Sequence, residues 1–374
     1  MSTTGTHAFD AIVIGAGIAG ATAAAHLAAD RTVALIEAEE AAGYHSTGRS
    51  AAIWIQNYGP PDVQVLTGQS RAFFEAPPSG FTDSPIMARR PVMFLAPPEQ
   101  EASLRRMLAG GIGLREIAVA DARALVPALR PEYAVAAAIE DDAFDMDVAA
   151  LHQGFLRQLR GRGGHLALRS RAGRIERTGG AWLVEVSGGD VFAAPVLVNA
   201  AGAWGDVVAR LAGVAPLGLQ PKRRTGVIID PAPWQPADWP LVGDVAHTWY
   251  ARAEARTKLM VSPADETDMD PQDIQPDELD VAIGIDRMQQ ALDIEVRRVE
   301  HSWAGLRSFL PDRSLGIGWD GDAEGFLWCI GQGGYGIQTS PAAGQLVADL
   351  VAGRDPGPIG PALAKIDPRR LRRT

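Results

Sequence analysis

The feature that most constrains the fold is residues 9–37, where two apolar runs flank a glycine-rich turn and an alanine-rich run. "FDAIVIG" is typical of a buried strand and "ATAAAHLAA" of a helix. Between them Gly15, Gly17 and Gly20 have the spacing GxGxxG, and the second apolar run, "TVALIE", ends at Glu37. This order predicts a strand, turn, helix and strand unit that binds a dinucleotide.

Each part of this unit has a physical task. Gly15 turns the chain, Gly17 lets the backbone approach a pyrophosphate, and Gly20 lets helix and strand pack closely. The helix N-terminus offers free N–H groups and a partial positive charge to phosphates. Glu37 is placed to accept a hydrogen bond from a ribose hydroxyl. A glycine-rich turn that binds no ligand is the alternative that the motif alone leaves open.

Residues 11–29 contain no Asp, Glu, Lys or Arg and therefore resemble a signal sequence or a membrane anchor. Their high content of Gly and Ala, the lack of a basic segment before them, and the charged neighbours Asp10, Asp30 and Arg31 argue against that interpretation. We therefore expect no integral membrane segment. Cys329 is the only cysteine, which excludes an internal disulfide and favours a reducing, cytoplasmic location.

The overall composition limits the partners of the chain. Its 374 residues exceed what one hydrophobic core usually serves, so two lobes are expected. A net charge of -10 disfavours nucleic acid, because phosphate contacts need clustered Lys and Arg. No set of His, Cys, Asp and Glu has the spacing of a metal site. These observations leave a small molecule as the expected partner.

Residues 43–56, "GYHSTGRSAAIWIQ", distinguish between the possible dinucleotides. Dehydrogenases that use NAD usually continue with further alternating strands and helices. Here small and polar residues surround Arg49 instead, as in flavoproteins of the glutathione-reductase type, where this part of the chain runs back along the cofactor. FAD is therefore preferred to NAD. We expect His45 to make a structural hydrogen bond rather than a covalent link to the flavin.

Several longer motifs resemble the D-amino-acid oxidase superfamily of flavoproteins. "GAGIAG", "GYHSTGRSAA", "ALHQGFLR", "LVNAAGAWGD", "LGLQPKRR", "SPADETD", "HSWAGLRSF" and "GQGGYGIQTSPA" occur in the family's order between about residue 9 and about residue 350. Within the superfamily they look most like the FAD-dependent D-arginine dehydrogenases. The resemblance implies an α/β fold: a discontinuous Rossmann-type FAD-binding domain of the glutathione-reductase type with an inserted α+β substrate domain on a mainly antiparallel sheet.

The local patterns fit this organisation. "LVNAAGAW" and "FLWCIGQGGYGIQTSPAAGQLVADLV" read as further strands and a helix of the cofactor domain, and "TGVIID" and "TWYARAEARTKLMVS" as strands of the antiparallel sheet. We expect the FAD-binding domain in residues 1–55, 141–219 and 301–374, and the substrate domain in 56–140 and 220–300. Segment 265–280 holds eight acidic residues and no basic residue, which predicts a solvated loop.

The resemblance also implies which residues contact the cofactor. They are Gly15, Gly17, Ile18, Ala19, Gly20, Glu37, Ala38, Ser46, Thr47, Arg49, Ser50, Ala51, Ala52, Arg174, Ile175, Ala200, Ala201, Gly202, Trp204, Gly305, Arg307, Gly333, Gly334, Tyr335, Gly336, Ile337 and Gln338.

Oxidation of an amino acid at a flavin requires an anchored carboxylate, which arginine holds better than lysine. Arg224 and Arg307 lie beside apolar or glycine-rich sequence and match substrate-contacting positions of the family, as do Tyr58 and Tyr250. A structural salt bridge for the arginines and a core position for the tyrosines are the alternatives. The family pattern adds the substrate contacts Ala51, Ile53, Ile55, Val92, Leu241, Gly243, Gly334 and Gln338.

Departures from the D-arginine dehydrogenases suggest a different substrate. Ile53 and Ile55 replace a histidine and a threonine, and Val92 replaces the glutamate that binds the guanidinium group. We therefore expect a neutral or apolar D-amino acid, oxidised by hydride transfer from Cα without an obligatory protein base. Another small amine (glycine, sarcosine or a cyclic imino acid) and a redox sensor without turnover are the alternatives. Oxygen and a membrane quinone both stay open as electron acceptors.

Overall fold

The computed structural model describes residues 5–372. Strands β1 to β21 span Thr6–Ala8, Ala11–Ile14, Val33–Ile36, Ile53–Trp54, Met87–Arg89, Val92–Ala96, Leu114–Ile117, Ala136–Glu140, Phe144–Met146, His165–Ala167, Ala172–Thr178, Ala181–Val186, Val191–Ala194, Val196–Asn199, Gln220–Ile229, Leu241–Asp244, Tyr250–Glu254, Lys258–Ser262, Val299–Phe309, Gly316–Trp319 and Phe326–Ile330. Helices α1 to α9 span Ile18–Leu27, Pro61–Glu75, Glu101–Gly110, Val119–Leu125, Val148–Gly161, Gly205–Leu211, Glu278–Ala291, Ser340–Ala352 and Leu363–Ile366.

The cofactor half is built on a six-stranded sheet in the order β10-β3-β2-β14-β21-β20. All neighbouring strands are parallel except the edge pair β20 and β21. Strands β2 and β3 are buried along their whole length, which is why they read as continuous apolar runs. The strands come from distant parts of the chain, and this confirms the discontinuous Rossmann-type sheet.

Both faces of the central strand β2 are covered. Ala11 and Val13 belong to the core that includes α1, α5 and α8, whereas Ile12 and Ile14 belong to a second core beneath the four-stranded sheet β1-β13-β12-β11. This alternation follows from the two-residue period of a strand. The carboxyl ends of β2, β3 and β14 are thereby fixed at one edge of the sheet.

The glycine turn has the geometry that its spacing predicts. Gly15 has a φ of 100°, a left-handed conformation that a side chain would strain. A Cβ at Gly20 would overlap the carbonyl oxygen of Gly15. The first turn of α1 therefore packs directly against the loop that follows β2, which confirms the structural roles expected of these two glycines.

The other half is built on an eight-stranded sheet in the order β19-β15-β18-β17-β16-β6-β8-β7. Every neighbouring pair is antiparallel except β16 with β6. On β6, Met93 and Leu95 pack with residues of α7, whereas Val92 and Phe94 pack in a separate apolar cluster with Leu104 of α3. The mainly antiparallel substrate-side sheet is therefore confirmed.

One edge of this sheet differs from the expected division of the chain. Strand β19 pairs with β15 from Phe309 opposite Gln220 to Val299 opposite Ile229. Residues 301–309 were expected in the cofactor domain, but this long pairing places them in the substrate-side sheet. The physical reason is that the antiparallel pairing of β19 with β15 continues along the whole of β19. The remaining domain boundaries stay a proposal.

The acidic segment 265–280 is only in part the solvated loop that its composition predicts: most of it is irregular and many of its residues are exposed, but it is also tied to the sheet by ion pairs and hydrogen bonds. The side chain of Asp265 is only 4% exposed and accepts hydrogen bonds from Thr225. Strand β15 brings three consecutive basic residues beneath the segment, and the acidic side chains pair with them. The ion pairs are Lys222 with Asp268, Arg223 with Asp277 and Asp280, and Arg224 with Glu266.

The close packing of α1 on α8 in the cofactor half can be tested by substitution of Gly344 on α8. A Cβ at Gly344 would overlap Oγ1 of Thr22, whereas a Cβ at Gly161, the last residue of α5, would meet no atom within 4 Å. We expect Gly344→Ala to lower the free energy of unfolding by about 1–3 kcal/mol, the cost of overpacking. Gly161→Ala is the matched control and should leave stability unchanged or slightly higher. Thermal unfolding of both variants checks this, and equal midpoints would contradict the packing.

Candidate active site

A cavity of about 380 Å³ lies between the two sheets. Its wall includes the carboxyl ends of β2 and β3, the loop before β4, the turn after β21, and strands β15 and β19. The expected cofactor residues that line it are Gly15, Gly17, Ile18, Ala19, Glu37, Ala38, Ser46, Thr47, Arg49, Ser50, Ala51, Ala200, Ala201, Gly202, Trp204, Gly305, Arg307, Gly333, Gly334, Gly336 and Ile337.

The turn after β2 forms the dinucleotide end of the cavity. Glu37 follows β3 directly, and its carboxylate accepts hydrogen bonds from the backbone N–H of Ala16 at 2.8 Å and of Glu39 at 3.0 Å. A carboxylate has further lone pairs, so Glu37 can still accept from a ribose hydroxyl. Thr47 accepts from the N–H of Ile18 at the start of α1. A Cβ at Gly17 would come within 3.2 Å of Thr47 Oγ1 and narrow the cradle that an FAD pyrophosphate needs.

Six expected cofactor residues lie outside the cavity lining, and two of them, Arg174 and Ile175, belong to β11. Arg174 is exposed and pairs with Glu176, and Ile175 packs in the core beneath the four-stranded sheet. Ile175 is the one buried residue of β11, and only the first residue of the strand, Ala172, lines the cavity. The wall is formed instead by three residues slightly earlier in the chain, Ser170, Arg171 and Ala172. The family pattern therefore places this contact with the cofactor a few residues too late in the chain.

Gln338 is also placed differently from the expectation of a flavin or substrate contact. Its buried amide exchanges two hydrogen bonds of 3.3 Å with the backbone of Ile55 and donates to Thr67 Oγ1 at 2.8 Å. Gln338 therefore holds the loop after β4 rather than lining the cavity wall. Gly20, Ala52 and Tyr335 likewise lie outside the lining, and Tyr335 packs against the ring of Tyr58 at 5.1 Å.

The loop that carries Arg49 is tied to the acidic segment. The guanidinium group of Arg49 pairs with Asp273 and donates to the carbonyl oxygens of Ile274 at 3.0 Å and Ala304 at 3.2 Å. Ser46 Oγ donates to the carbonyl oxygen of Leu306 at 2.6 Å. Both side chains line the cavity while they join this loop to the substrate-side sheet and the segment that packs on it.

His45 makes the structural hydrogen bond that was expected of it. Its Nε2 lies 3.1 Å from Glu39 Oε1, and its ring packs against Trp204 with 4.6 Å between the ring centroids. Both aromatic side chains line the cavity near Tyr44. This contact orders the start of the loop that runs along the expected cofactor.

Arg307 and Arg224 bring two positive charges to the opposite end of the cavity. Arg307 Nη1 donates to the hydroxyl oxygen of Tyr58 at 2.9 Å. In residues 5–372, no ion pair joins Arg307 to an Asp or Glu. Arg224 donates to the carbonyl oxygen of Asp265 at 2.9 Å and to Glu266 at 3.2 Å. Burial and the neighbouring charge of Arg307 lower the pKa of Arg224.

Tyr250, on β17 of the same sheet, lines the cavity with these two arginines. It stands opposite Ser262 on β18 and opposite Gly243 on β16, where a Cβ would come within 2.6 Å of a neighbouring backbone oxygen. Burial alone would raise the pKa of the Tyr250 phenol, but the charges of Arg307 and Arg224 outweigh burial and lower it. The phenol therefore sits in a positive field suited to an anionic ligand.

The expected apolar residues do gather in one place. Ile55, Val92 and Leu241 form a buried cluster with Phe94, and Ile53 packs against it. Tyr58 and Tyr250 also pack against this cluster. The four aliphatic residues stand behind the tyrosines and outside the lining of the main cavity, so their contact with a substrate side chain stays a proposal.

Sequence reasoning missed several residues of the wall. Thr225, Gly226, Met260 and Trp303 line the cavity on the substrate-side sheet, and Trp303 donates its indole N–H to the carbonyl oxygen of Arg49 at 3.0 Å. Gly226 was the signal that could have indicated this wall, because a glycine inside a strand often marks a place where a ligand or another part of the chain approaches closely. A Cβ there would come within 2.5 Å of the Trp303 ring.

In residues 5–372, no helix is both long and apolar enough to cross a membrane, and no three acidic, His or Cys side chains are grouped to hold a metal ion.

Residues 10–350 match the family model described as DAO, FAD dependent oxidoreductase. Two curated relatives are FAD-dependent oxidoreductase domain-containing protein 1 of Xenopus laevis, 26% identical over 178 residues, and that of Bos taurus, 27% identical over 172 residues. Each match covers 42% of this chain, and it spans 34% and 35% of the two relatives, respectively. The chain thus spans about a third of the length of these relatives.

Solved structures share the fold over nearly the whole chain. Glycine oxidase from Geobacillus kaustophilus has a TM-score of 0.81 and 22% identity, with 93% of this chain and 96% of that chain covered. L-proline dehydrogenase from P. horikoshii has a TM-score of 0.83 and 19% identity, with 97% of each chain covered. For L-amino acid deaminase from Proteus vulgaris the TM-score is 0.79 and the identity 16%, over 96% and 98%. At these identities the likeness shows the fold alone.

The cradle at Gly17 gives a test of cofactor binding. We expect Gly17→Leu to be purified without flavin, because its side chain would occupy the space that the pyrophosphate needs beside Thr47. Gly17→Ala should retain part of the flavin. The measurement is the ratio of visible flavin absorbance to protein absorbance, with circular dichroism to confirm folding. Full flavin occupancy in a folded Gly17→Leu protein would contradict this site.

Proposed function

The chain belongs to the DAO family of FAD-dependent oxidoreductases, and on that premise we propose that it oxidises the α-amino group of a D-amino acid with a neutral or apolar side chain. The product is an imino acid, which hydrolyses in water to the 2-oxo acid and ammonia. The D configuration and the neutral side chain rest on the motif resemblance and on its departures at Ile53, Ile55 and Val92. The amino-acid class rests on the arginines.

The observation that carries this proposal is the incomplete pairing of Arg307. Its guanidinium group faces the cavity, is half-buried, and has the Tyr58 hydroxyl as its side-chain hydrogen-bond partner in the part of the chain that the structure describes. A guanidinium group removed from water without an anion is costly. A substrate carboxylate supplies that anion, and arginine can bind it through two parallel hydrogen bonds.

Arg224 has a supporting role in this account. Arg224 on β15 stands opposite Gly305 on β19, and Lys222, two residues earlier, stands opposite Arg307. Arg224 and Arg307 are therefore diagonal neighbours on the same face of the sheet, and we propose that both guanidinium groups approach one carboxylate site. Glu266 and the backbone of Asp265 hold Arg224 from the side of the acidic segment. Part of its charge is thereby balanced, and Arg307 remains the principal carboxylate anchor.

The same charges favour the reactive form of the amine. An ammonium group beside two guanidinium groups is destabilised, so the substrate amine loses its proton to water more readily there. The backbone carbonyl of Gly334 is proposed to accept a hydrogen bond from the neutral amine. Bound FAD supplies the acceptor of two electrons, so the Cα–H bond can break with loss of hydride. On this account no protein side chain has to remove the amine proton.

The apolar cluster supports a neutral side chain. Val92 stands directly opposite Glu140 on the neighbouring strand, yet the Glu140 carboxylate already accepts hydrogen bonds from Gln56 and Asn57. Glu140 also lies outside the cavity lining, so we do not expect it to serve as the counter-ion of a cationic side chain. A glutamate introduced at position 92 would face Glu140 as a like charge, which makes a substrate panel a cleaner test than that substitution.

A panel of amino acids tests the substrate class. We expect D-valine, D-leucine and D-methionine to bleach the flavin without oxygen at least tenfold faster than D-arginine or D-lysine, because the cluster offers no counter-ion. L-enantiomers, glycine, sarcosine and L-proline belong in the same panel. Fastest bleaching by D-arginine would contradict the pocket, and fastest bleaching by glycine, sarcosine or L-proline would favour the small-amine alternative. A flavin that no compound reduces would favour a redox sensor.

The carboxylate anchor is tested by substitution of Arg307. Arg307→Met should lower catalytic efficiency by about 3 kcal/mol or more, the scale for losing a charged hydrogen-bond partner, while flavin content is kept. Arg174→Met is the matched control, because the Arg174 side chain is 68% exposed and does not line the cavity. It should leave efficiency and flavin content unchanged. An Arg307→Met enzyme that keeps full efficiency would disprove the anchor.

The proton step is tested by the pH dependence of flavin reduction. We expect the rate to rise with pH as the substrate amine loses its proton, and this rise should persist in Tyr250→Phe. It should also persist when His45, His247 and His301 are each replaced by Gln. Its midpoint should shift when an amino acid with a different amine pKa is used. Loss of the pH-dependent rise in any one variant would identify a protein base and contradict this mechanism.

A further inference from the structure

Glu140, the last residue of β8, is a buried carboxylate outside the cavity. Only 1% of its surface is exposed. Oε1 accepts a hydrogen bond from the N–H of Gln56 at 2.8 Å, and Oε2 accepts one from Asn57 Nδ2 at 2.8 Å. In residues 5–372, no ion pair joins Glu140 to a basic residue. Burial raises its pKa, and the hydrogen bonds from Asn57 and Gln56 act against that rise.

These two hydrogen bonds fix the residues immediately before Tyr58. Asn57 is bound on its other side to the backbone of Ile112, with its Oδ1 accepting from N–H at 2.7 Å and its Nδ2 donating to the carbonyl oxygen at 2.8 Å. Gln338 holds the backbone of Ile55. The loop is thus held at Ile55 by Gln338, at Gln56 by Glu140, and at Asn57 by Glu140 and Ile112.

Tyr58 connects this loop to the substrate end of the cavity. Its hydroxyl oxygen accepts from Arg307 at 2.9 Å, and its ring packs against Tyr335 at 5.1 Å and His247 at 6.2 Å. The position of the phenol therefore depends on the loop backbone as well as on these ring contacts. A chain of direct contacts runs from Glu140 through Asn57 and Tyr58 to Arg307.

We propose that Glu140 is a positioning residue for substrate binding: it holds the loop that aims Tyr58 at Arg307, without touching substrate itself. This inference rests on the proposed function, in which Arg307 binds a carboxylate. When the loop is held, the Tyr58 hydroxyl and the Arg307 guanidinium present one preformed site. When it is released, part of the binding free energy is used to order the loop, so carboxylates bind more weakly.

Glu140→Gln tests this role because it replaces one carboxylate oxygen, a hydrogen-bond acceptor, by an NH₂ group. The glutamine oxygen can still accept from Gln56, but its NH₂ group cannot accept from Asn57. Isobutyrate, an apolar carboxylate, would be titrated into the holoenzyme and followed by the change in flavin absorbance. We expect its dissociation constant to rise about tenfold, the scale of one lost hydrogen bond to a charged group, with flavin content unchanged.

A double-mutant cycle separates positioning from general stability. In a Tyr58→Phe background, Glu140→Gln should change the isobutyrate dissociation constant less than twofold, because the hydroxyl that it positions is gone. Asp142→Asn is the control, since Asp142 lies two residues further along, is 58% exposed, and pairs with Arg71 at the surface. That variant should bind isobutyrate like the unaltered enzyme.

The outcomes are distinct. An equal loss of affinity with and without the Tyr58 hydroxyl, or unchanged affinity in Glu140→Gln, would overturn the positioning role. If Glu140→Gln fails to fold, Asn57→Ser removes this hydrogen bond together with the two to Ile112 and must give at least the same loss that depends on Tyr58; otherwise the proposal is wrong. If the unaltered holoenzyme binds neither isobutyrate nor any amino acid, the proposed function itself fails.

Discussion

The arginine pair on β15 and β19 is the constraint on which the rest of the substrate end depends. Two guanidinium groups in one cavity wall repel each other, and burial makes that repulsion stronger than it would be in water. The charge of Arg224 is partly balanced by Glu266 and by the backbone of the acidic segment. Within residues 5–372, the side-chain hydrogen-bond partner of Arg307 is the uncharged phenol of Tyr58. The chain thus balances one charge and leaves the other for a ligand.

This imbalance explains why the acidic segment packs on the sheet. Lys222, Arg223 and Arg224 follow one another on β15, and a segment rich in carboxylates covers them. Arg49, from the loop along the cofactor cavity, joins the same network through Asp273. Charges that neutralise the sheet therefore also tie the cofactor loop to the substrate-side half. The apolar cluster of Ile55, Val92 and Leu241 packs behind Tyr58 and Tyr250, and we propose that it faces the substrate side chain.

Local rules were enough to predict the cofactor cradle. Gly15, Gly20 and Glu37 act within one contiguous unit, so spacing alone places them correctly. Long-range packing decided what the sequence missed: the acidic segment looked solvated because its basic partners lie some forty residues earlier on β15. Gln338 was expected at the flavin, but its amide is used by Ile55, far away in sequence. The sequence could not predict the role of Glu140, because its hydrogen-bond partners Gln56 and Asn57 are placed by a turn and belong to no recognisable motif.

The account predicts that negative charge, rather than shape, is what the cavity recognises at Arg307. The most direct measurement compares isobutyrate with isobutyramide, which has nearly the same shape but no charge, by titration of the holoenzyme and observation of flavin absorbance. We expect saturable binding of isobutyrate, no binding of isobutyramide in the same concentration range, and loss of the difference in Arg307→Met. Equal binding of the two compounds by the unaltered enzyme would contradict it.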